Sequence, residues 1–235
     1  MVFRPFLYEE TSCASYLFGC PTTGRLAVVD AHVDLVDAYV AAAARIGSPI
    51  VAVLETHIQA DHVSGQKALA AATGATAHRP DDLDDGQRID LGNTVVTALA
   101  TPGHAPVHFA FLVADRRRGT EEPWLVFTGD SLLVNDVGRP DLHADGRGDD
   151  LAEQQYRSVL RLLELPDEVL VYPSHYGGSV CGRGLSGNPF STIGFERRHN
   201  RALAHDNANT FAAALLDDVP PPPPNQAEIV AQNRA

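Results

Sequence analysis

Four short apolar runs in this 235-residue sequence each deliver the chain to a residue type that binds metal ions. Ile50–Leu54 leads to His57, and Val95–Ala100 leads through Pro102-Gly103 to His104. Leu125–Phe127 leads to Gly129-Asp130, and Val169–Val171 leads through Pro173 to His175. Such runs read as buried strands. Residues just past strand ends sit on sheet edges, where loops meet over a rigid base. One histidine in such a place is usually structural. Four His or Asp residues after four strands point instead to a metal centre assembled from distant parts of the chain.

The densest segment is Thr56-His57-Ile58-Gln59-Ala60-Asp61-His62. In a near-extended loop, positions i and i+2 point the same way, so His57 and Gln59 share a face, and Asp61 and His62 enter the following helix beside them. The segment resembles the His-x-His-x-Asp-His signature of the metallo-β-lactamase superfamily, with Gln59 where the second histidine belongs. Thr101-Pro102-Gly103-His104 resembles the next motif of that family. Thr128-Gly129-Asp130 resembles its bridging-aspartate motif, and Tyr172-Pro173-Ser174-His175 its last-histidine motif. The resemblance runs from the first strands to the region of residue 205. It implies an α+β fold, an αββα sandwich with the site at one edge between the two sheets.

In dinuclear members of that family, the positions matching His57, Gln59, His104 and Asp130 hold one metal, and those matching Asp61, His62, Asp130 and His175 hold the other. A glutamine amide is a neutral, weaker donor than an imidazole, so Gln59 weakens a two-zinc site. What remains is His57, His104 and Asp130, the two-histidine, one-carboxylate set of non-haem Fe(II) oxygenases. Within the superfamily the chain resembles the persulfide dioxygenases, relatives of glyoxalase II, whose iron ligands match these three residues. There the residues matching Asp61, His62 and His175 form a polar shell that orients ligands and water, and the resemblance gives these three residues catalytic roles.

Two further stretches are similar to the same family. Val137–Leu142 resembles its Gly-Arg-x-Asp element, and Ser191-Thr192 with Glu196-Arg197 and Asn200 resembles its Ser-Thr…Glu-Arg-x-x-Asn element. The resemblance implies substrate-binding roles for Arg139, Tyr176 and Arg197. In the family, the arginine matching Arg197 contacts a carboxylate of the thiol carrier, which a planar guanidinium grips well. The alternative for Arg197 is a helix-surface residue paired with Glu196 or a nearby acid. The chain departs from the family at His175-Tyr176-Gly177-Gly178, where His-Asp-Tyr is common.

The expected function is oxidation of a low-molecular-weight thiol persulfide, such as glutathione persulfide, by O₂ at one Fe(II) per chain, giving sulfite and free thiol. The alternative is a glyoxalase II-like thioester hydrolase using metal-bound hydroxide and zinc. A metal-free binding protein on a decayed site is the third reading, and the retained metal-type residues count against it. The expected partners are the persulfide and O₂, with a homodimer as the assembly to test.

The elements that must position these residues follow from periodicity. Beyond the four runs, Phe3–Tyr8, Ala14–Phe18, Leu26–Val29 and Val107–Val113 read as strands. Val33–Ile46, Ser64–Thr73, Leu151–Leu163, Thr192–Leu203 and Ala208–Leu216 read as helices, two of them stopped by Gly47 and Gly74. Gly177–Pro189 is a Gly-rich loop. Residues 1–219 are expected to form the metallo-β-lactamase-like domain, and 220–235 a proline-rich tail or strap opened by the run Pro220–Pro224.

With 30 Asp+Glu against 18 Lys+Arg, the formal net charge is −12, which argues against a nucleic-acid-binding face and against the superfamily's nucleases. The Arg116–Arg118 run reads as a solvated loop tip. No apolar stretch approaches the roughly 20 residues of a membrane span, and the N-terminus lacks a secretory pattern, so a cytoplasmic protein is expected. Cys13, Cys20 and Cys181 are an odd number with no Cys-x-x-Cys pair. They are expected to be small buried thiols, with Cys181 inert in its loop. Pro106 and the strand that follows argue against a helical metal pair of His104 with His108. His32, His78, His143, His199 and His205 lack partner spacing and are expected to be structural.

Overall fold

In the computed structural model, which describes residues 1–143, 148–217, 219, 221–223 and 225–235, the alternation of side chains along the strands sorts the core into three layers. In β2 (Cys13–Cys20), Ala14, Tyr16 and Phe18 face one cluster while Leu17 faces another. In β3 (Arg25–Val29), Ala27 and Val29 divide from Leu26 and Val28 in the same way. The period-2 pattern thus gives each strand two buried faces, and a sheet buried on both faces needs a second sheet on one side and helices on the other.

The first sheet has the order β1-β2-β3-β4-β5, with β1 Val2–Tyr8, β4 Ile50–Leu54 and β5 Thr76–His78. The second has the order β11-β10-β9-β8-β7-β6. Its strands are β6 Arg88–Leu91, β7 Thr94–Ala100, β8 Phe109–Asp115, β9 Leu125–Gly129, β10 Leu170–Pro173 and β11 Ser191–Thr192. Between the sheets, Tyr16 and Phe18 meet Phe127, with ring centroids 5.0 and 4.9 Å from it. Each such buried aromatic contributes about 1.5–3 kcal/mol of transfer free energy. Outside the first sheet, Tyr39, Ala42 and Ala43 of α1 (Val36–Ile46) and Leu69 of α2 (Gln66–Thr73) close the face. Outside the second, Ala152, Val159 and Leu162 of α3 (Gly148–Leu162) and Phe211 and Leu215 of α5 (Ala208–Leu216) do the same. The expected αββα sandwich is the observed architecture.

Strand direction explains where the site lies. β9 and β10 are parallel, and β7 and β9 both pair antiparallel with β8, so β7, β9 and β10 run the same way. Their C-terminal ends therefore lie on one edge, which carries His104, Asp130 and His175. β4 brings His57 to meet them from the other sheet.

The structure departs from the periodicity reading at three places. β5 and β6 are short paired strands that carry too few residues for a pattern. The helix expected over Thr192–Leu203 stops after α4 (Ile193–His199), because Asn200 leaves helical geometry and caps a 3-10 turn. The tail is not irregular throughout: Gln226–Arg234 forms helix α6, packed back on the motif loop. Pro220 and Pro224 of the expected proline strap lie outside the described residues. Among the described residues, no helix is long and apolar enough to cross a membrane.

Candidate metal centre

His57, His104 and Asp130 come together although 47 and 26 positions separate them in sequence; one donor atom from each lies within 4.8 Å of the others. All three are buried. The ring geometry fits a metal. Thr56 Oγ1 donates to Asp30 at 2.9 Å and so accepts from His57 Nδ1, also at 2.9 Å. His104 Nδ1 donates to the Arg139 carbonyl at 2.8 Å. Each ring thereby keeps Nε2 with a free lone pair, and His104 Nε2 stands 3.4 Å from Asp130 Oδ2. Burial pushes the His57 imidazole well below its ordinary value and lowers His104 as well, so both are held neutral, as ligands must be. Burial alone would raise Asp130, but the imidazoles of His175, His104 and His57 hold its carboxyl well below the usual range.

Backbone geometry fixes these loops. Gly103 has φ +144°, and a Cβ there would come 2.3 Å from Gln155 Cα. That close approach lets Gln155 Oε1 accept from His104 N–H at 2.9 Å while its Nε2 donates to the Ser131 carbonyl at 2.7 Å. Gly138 packs equally tightly: a Cβ there would meet Asp130 O at 2.1 Å and His104 Nδ1 at 2.8 Å. The Gly138-Arg139 element therefore touches the site through its backbone. The Arg139 side chain makes two bonds to Asp141, at 2.8 and 2.6 Å, and reaches the Val180 carbonyl.

A second group stands beside the first. Asp61, His62, His175 and Cys13 place one donor atom each within 4.8 Å of one another. His175 joins the two groups, with Nδ1 2.7 Å from Asp130 Oδ1 and Nε2 2.8 Å from Asp61 Oδ2. Burial opposes its charge, but the two carboxylates and the nearby thiols raise it well above its ordinary value. Cys13 Sγ lies 3.3 Å from both His62 Nδ1 and His175 Nε2. Burial pushes this thiol up, yet the imidazoles of His175 and His62 bring it below its ordinary value. Cys181 Sγ is 4.0 Å from Asp61 Oδ2, and burial pushes that thiol up.

Four side chains around these groups carry buried polar atoms with no partner among the described residues: both amide atoms of Gln59, His62 Nε2, His143 Nε2 and Tyr176 Oη. Unpartnered polar atoms are costly, and their concentration beside a set of neutral imidazoles marks a place for a ligand. Arg197 is elsewhere engaged: it pairs with Asp167 and donates to the Leu163 and Leu165 carbonyls. Its contacts are those of a helix-surface arginine bound to a nearby acid, and the structure does not bring it to the metal-type residues.

Several residues at the site were given no site role by the sequence. Asp30 follows β3 as Asp130 follows β9, so the strand-end signal applied to it. It accepts from Thr56 N–H at 2.8 Å and from Ser174 Oγ, pinning two of the motif loops together. His143, expected to be structural, has its ring 5.8 Å from that of His104 and 6.4 Å from that of His57. His32 stacks on His62 at 4.8 Å. His108 is a positioning group: Nε2 accepts from Asp130 N–H at 3.2 Å, and Nδ1 bonds Thr101 Oγ1 at 2.8 Å. Cys13 opens a strand and Asn233 sits in the last helix; neither spacing nor neighbours signal them.

Comparison with known proteins places the geometry in a family. The model described as the metallo-beta-lactamase superfamily matches residues 8–84 and 77–175. The chain is 32% identical over 171 residues to a hydroxyacylglutathione hydrolase of Rhodospirillum rubrum, covering 68% of this chain and 60% of that protein. It is 27% identical over 182 residues to the mitochondrial persulfide dioxygenase ETHE1 of Bos taurus, covering 72% and 66%. The chain thus spans less than two thirds of the length of these relatives. The crystal structure of ETHE1 from Myxococcus xanthus superposes with a TM-score of 0.86 at 31% identity, covering 100% of this chain and 99% of that one.

Proposed function

Because the chain belongs to the metallo-β-lactamase superfamily, we propose that it oxidises a low-molecular-weight thiol persulfide with O₂ to sulfite and the free thiol: RSSH + O₂ + H₂O gives RSH and sulfurous acid. The observation that carries this reading is the completeness of His57, His104 and Asp130 without Gln59. Two imidazoles with free Nε2 atoms and one carboxylate converge there, while the fourth position of a two-zinc site holds only a neutral amide. His57, His104 and Asp130 would hold iron(II), which would supply the redox chemistry by which O₂ reacts with the persulfide sulfur.

The chain's own residues do the rest. Thr56 and the Arg139 carbonyl hold the two histidines in the tautomer that presents Nε2. The pair of His175 Nε2 and Asp61 Oδ2, 2.8 Å apart, holds a proton that a departing carrier thiolate can take. Tyr176 Oη, buried and without a partner among the described residues, is available to the substrate. A cavity of about 480 Å³ between the His143 turn and α6 opens beside the site. It is lined by Arg234, whose guanidinium makes no ion pair among the described residues, and the cavity suits a carrier bearing a carboxylate.

The test is oxygen uptake by iron-loaded protein supplied with glutathione persulfide. One O₂ consumed and one sulfite formed per persulfide supports the reading, and no uptake at full iron occupancy sinks it. A hydrolase reading has its own support in the 32% identity to a hydroxyacylglutathione hydrolase. Two zinc ions per chain together with hydrolysis of a glutathione thioester would replace the dioxygenase with that activity.

A further inference from the structure

Cys13 opens β2 within the group formed with Asp61, His62 and His175, and its position is set by backbone rather than by a mobile side chain. Cys13 and His175 form a β-bridge, with Ala14 N–H donating to Ser174 O at 2.7 Å and Tyr176 N–H to Ser12 O at 3.1 Å. This stitch holds the thiol between two imidazole nitrogens, each 3.3 Å away, with Asp61 Oδ2 at 3.8 Å. His175 is oriented in turn through its other nitrogen by Asp130 at 2.7 Å. Nucleophile, base and orienting carboxylate in that order make up the arrangement that activates a thiol. A residue serving only as filler in a core would not need it.

We propose that Cys13 is a sulfur-accepting nucleophile, which takes the terminal sulfur of a thiol persulfide and carries it as a protein persulfide beside the metal-type residues. The inference rests on the persulfide reading for its substrate class. The Cys13 sulfur attacks the outer sulfur of R–S–SH, the S–S bond of the substrate breaks, and its electron pair leaves on the carrier sulfur. The proton that Cys13 gives up is held on the His62 and His175 imidazoles that face the thiolate, and it passes from there to the carrier thiolate. The balance is Cys13–SH + RSSH → Cys13–SSH + RSH, with no net oxidation. The same step reversed onto a second thiol, R′SH, gives R′SSH and restores Cys13, which is a sulfur transfer that needs neither O₂ nor a metal redox change.

The surroundings distinguish Cys13 from the other two thiols. His62 uses Nδ1 for Cys13 and Asp61, while its Nε2 is buried without a partner. The imidazole facing the thiol therefore has an unfilled position of its own. Cys181 groups with Asp130 and His175 and so faces one imidazole rather than two, with Asp61 Oδ2 4.0 Å away, and Cys20 meets Asn93 Nδ2 at 3.4 Å.

The experiment uses the full-length protein as purified, under anaerobic conditions so that no dioxygenase turnover occurs. It is exposed to glutathione persulfide, quenched with an alkylating reagent, digested and mapped by mass spectrometry. The expected result is an increment of one sulfur atom on the Cys13 peptide, lost in Cys13→Ser and retained in Cys181→Ser. No increment on Cys13, or an increment on Cys181 or Cys20 instead, overturns the proposal. Peptide mapping of the unmodified chain gives the answer even if Cys13→Ser folds poorly. Oxygen uptake on the same preparation judges the dioxygenase reading separately. Uptake without a Cys13 persulfide refutes only the sulfur-transfer role, and a Cys13 persulfide without uptake leaves that role standing while the dioxygenase fails.

Discussion

The side-chain amide of Asn233 donates to the carbonyl oxygen of His62 at 2.9 Å, so the last helical turn of the chain is tied to the loop that carries the metal-type residues. The same amide donates to the Gln59 carbonyl at 3.0 Å, and Oδ1 accepts from Ser64 N–H at 2.9 Å. Arg79 donates to the carbonyls of Asn233 and Arg234, and Gln226 to that of Leu142. Helix α6 brings no residue into the three large apolar clusters, so it is held by polar bonds rather than by a core. Asn233→Ala should cost about 2 kcal/mol of local docking, since it leaves two carbonyls and one N–H without their partner. That corresponds to roughly a 30-fold rise in helix opening, with a much smaller effect on global unfolding. Hydrogen exchange of the α6 amides checks it; unchanged protection would show that other contacts hold the helix.

Gln155 lies outside the candidate ligand set, yet it grips two of the loops that carry it. It receives His104 N–H at 2.9 Å and donates to Ser131 O at 2.7 Å from a fully buried position. Gln155→Ala should therefore lower metal affinity by about 10–100-fold, the usual effect of removing a group that orients ligands. Titration of the metal-free protein with Fe(II) or Zn(II) measures the change. An affinity equal to that of the unmodified protein would mean that the His104 loop is held by its own turn.

The longer strands and the four motif loops were legible in the sequence because they rest on local signals, and the αββα sandwich was implied by the family resemblance those motifs carry. Strands of five to seven residues, such as Ile50–Leu54 and Thr94–Ala100, are long enough to show their pattern, and turn residues mark where each loop begins. Cys13 and His143 were not legible, because their roles depend on which loops meet. The Cys13–His175 bridge joins positions 162 residues apart. Arg197 is engaged by other groups than its motif suggested. Its motif context suggested a ligand grip, but the Asp167 carboxylate and two carbonyls of the loop before β10 take its donors first. Arg139 was placed at the site by its motif, but its contribution to His104 comes from a carbonyl oxygen, which no side-chain pattern encodes.

His32 offers a pH test. It is stacked between Tyr8 and His62, with centroids 4.0 and 4.8 Å away, and burial lowers its imidazole to about 4. Its folded value lies below the unfolded value near 6.5. The stability it contributes is therefore full above about pH 6.5 and is lost as pH falls toward 4, because the unfolded chain takes up the proton first. His32→Asn keeps an acceptor for Asp34 N–H, which His32 Nδ1 now accepts at 3.2 Å, and removes the titration. Between pH 7 and pH 4.5 the unmodified protein should lose about 2–4 °C more in Tm than the variant, a conservative figure that allows for solvent screening. Parallel Tm curves for the two proteins would show that His32 is not held neutral in the fold.

Gln59 decides between the two metal stoichiometries. Its amide is buried, and neither its oxygen nor its nitrogen has a partner among the described residues, so the side chain can face a metal without competing bonds from them. As a neutral oxygen donor it binds zinc more weakly than an imidazole would. Gln59→His restores an imidazole at the missing position of the family signature. The variant should move the bound metal from near one toward two per chain when loaded with zinc, and should gain thioester hydrolysis at the expense of oxygen uptake. Elemental analysis of both proteins after anaerobic purification provides the measurement. If the unmodified protein already carries two metals, the amide is an adequate ligand, and the argument from Gln59 to a single iron fails.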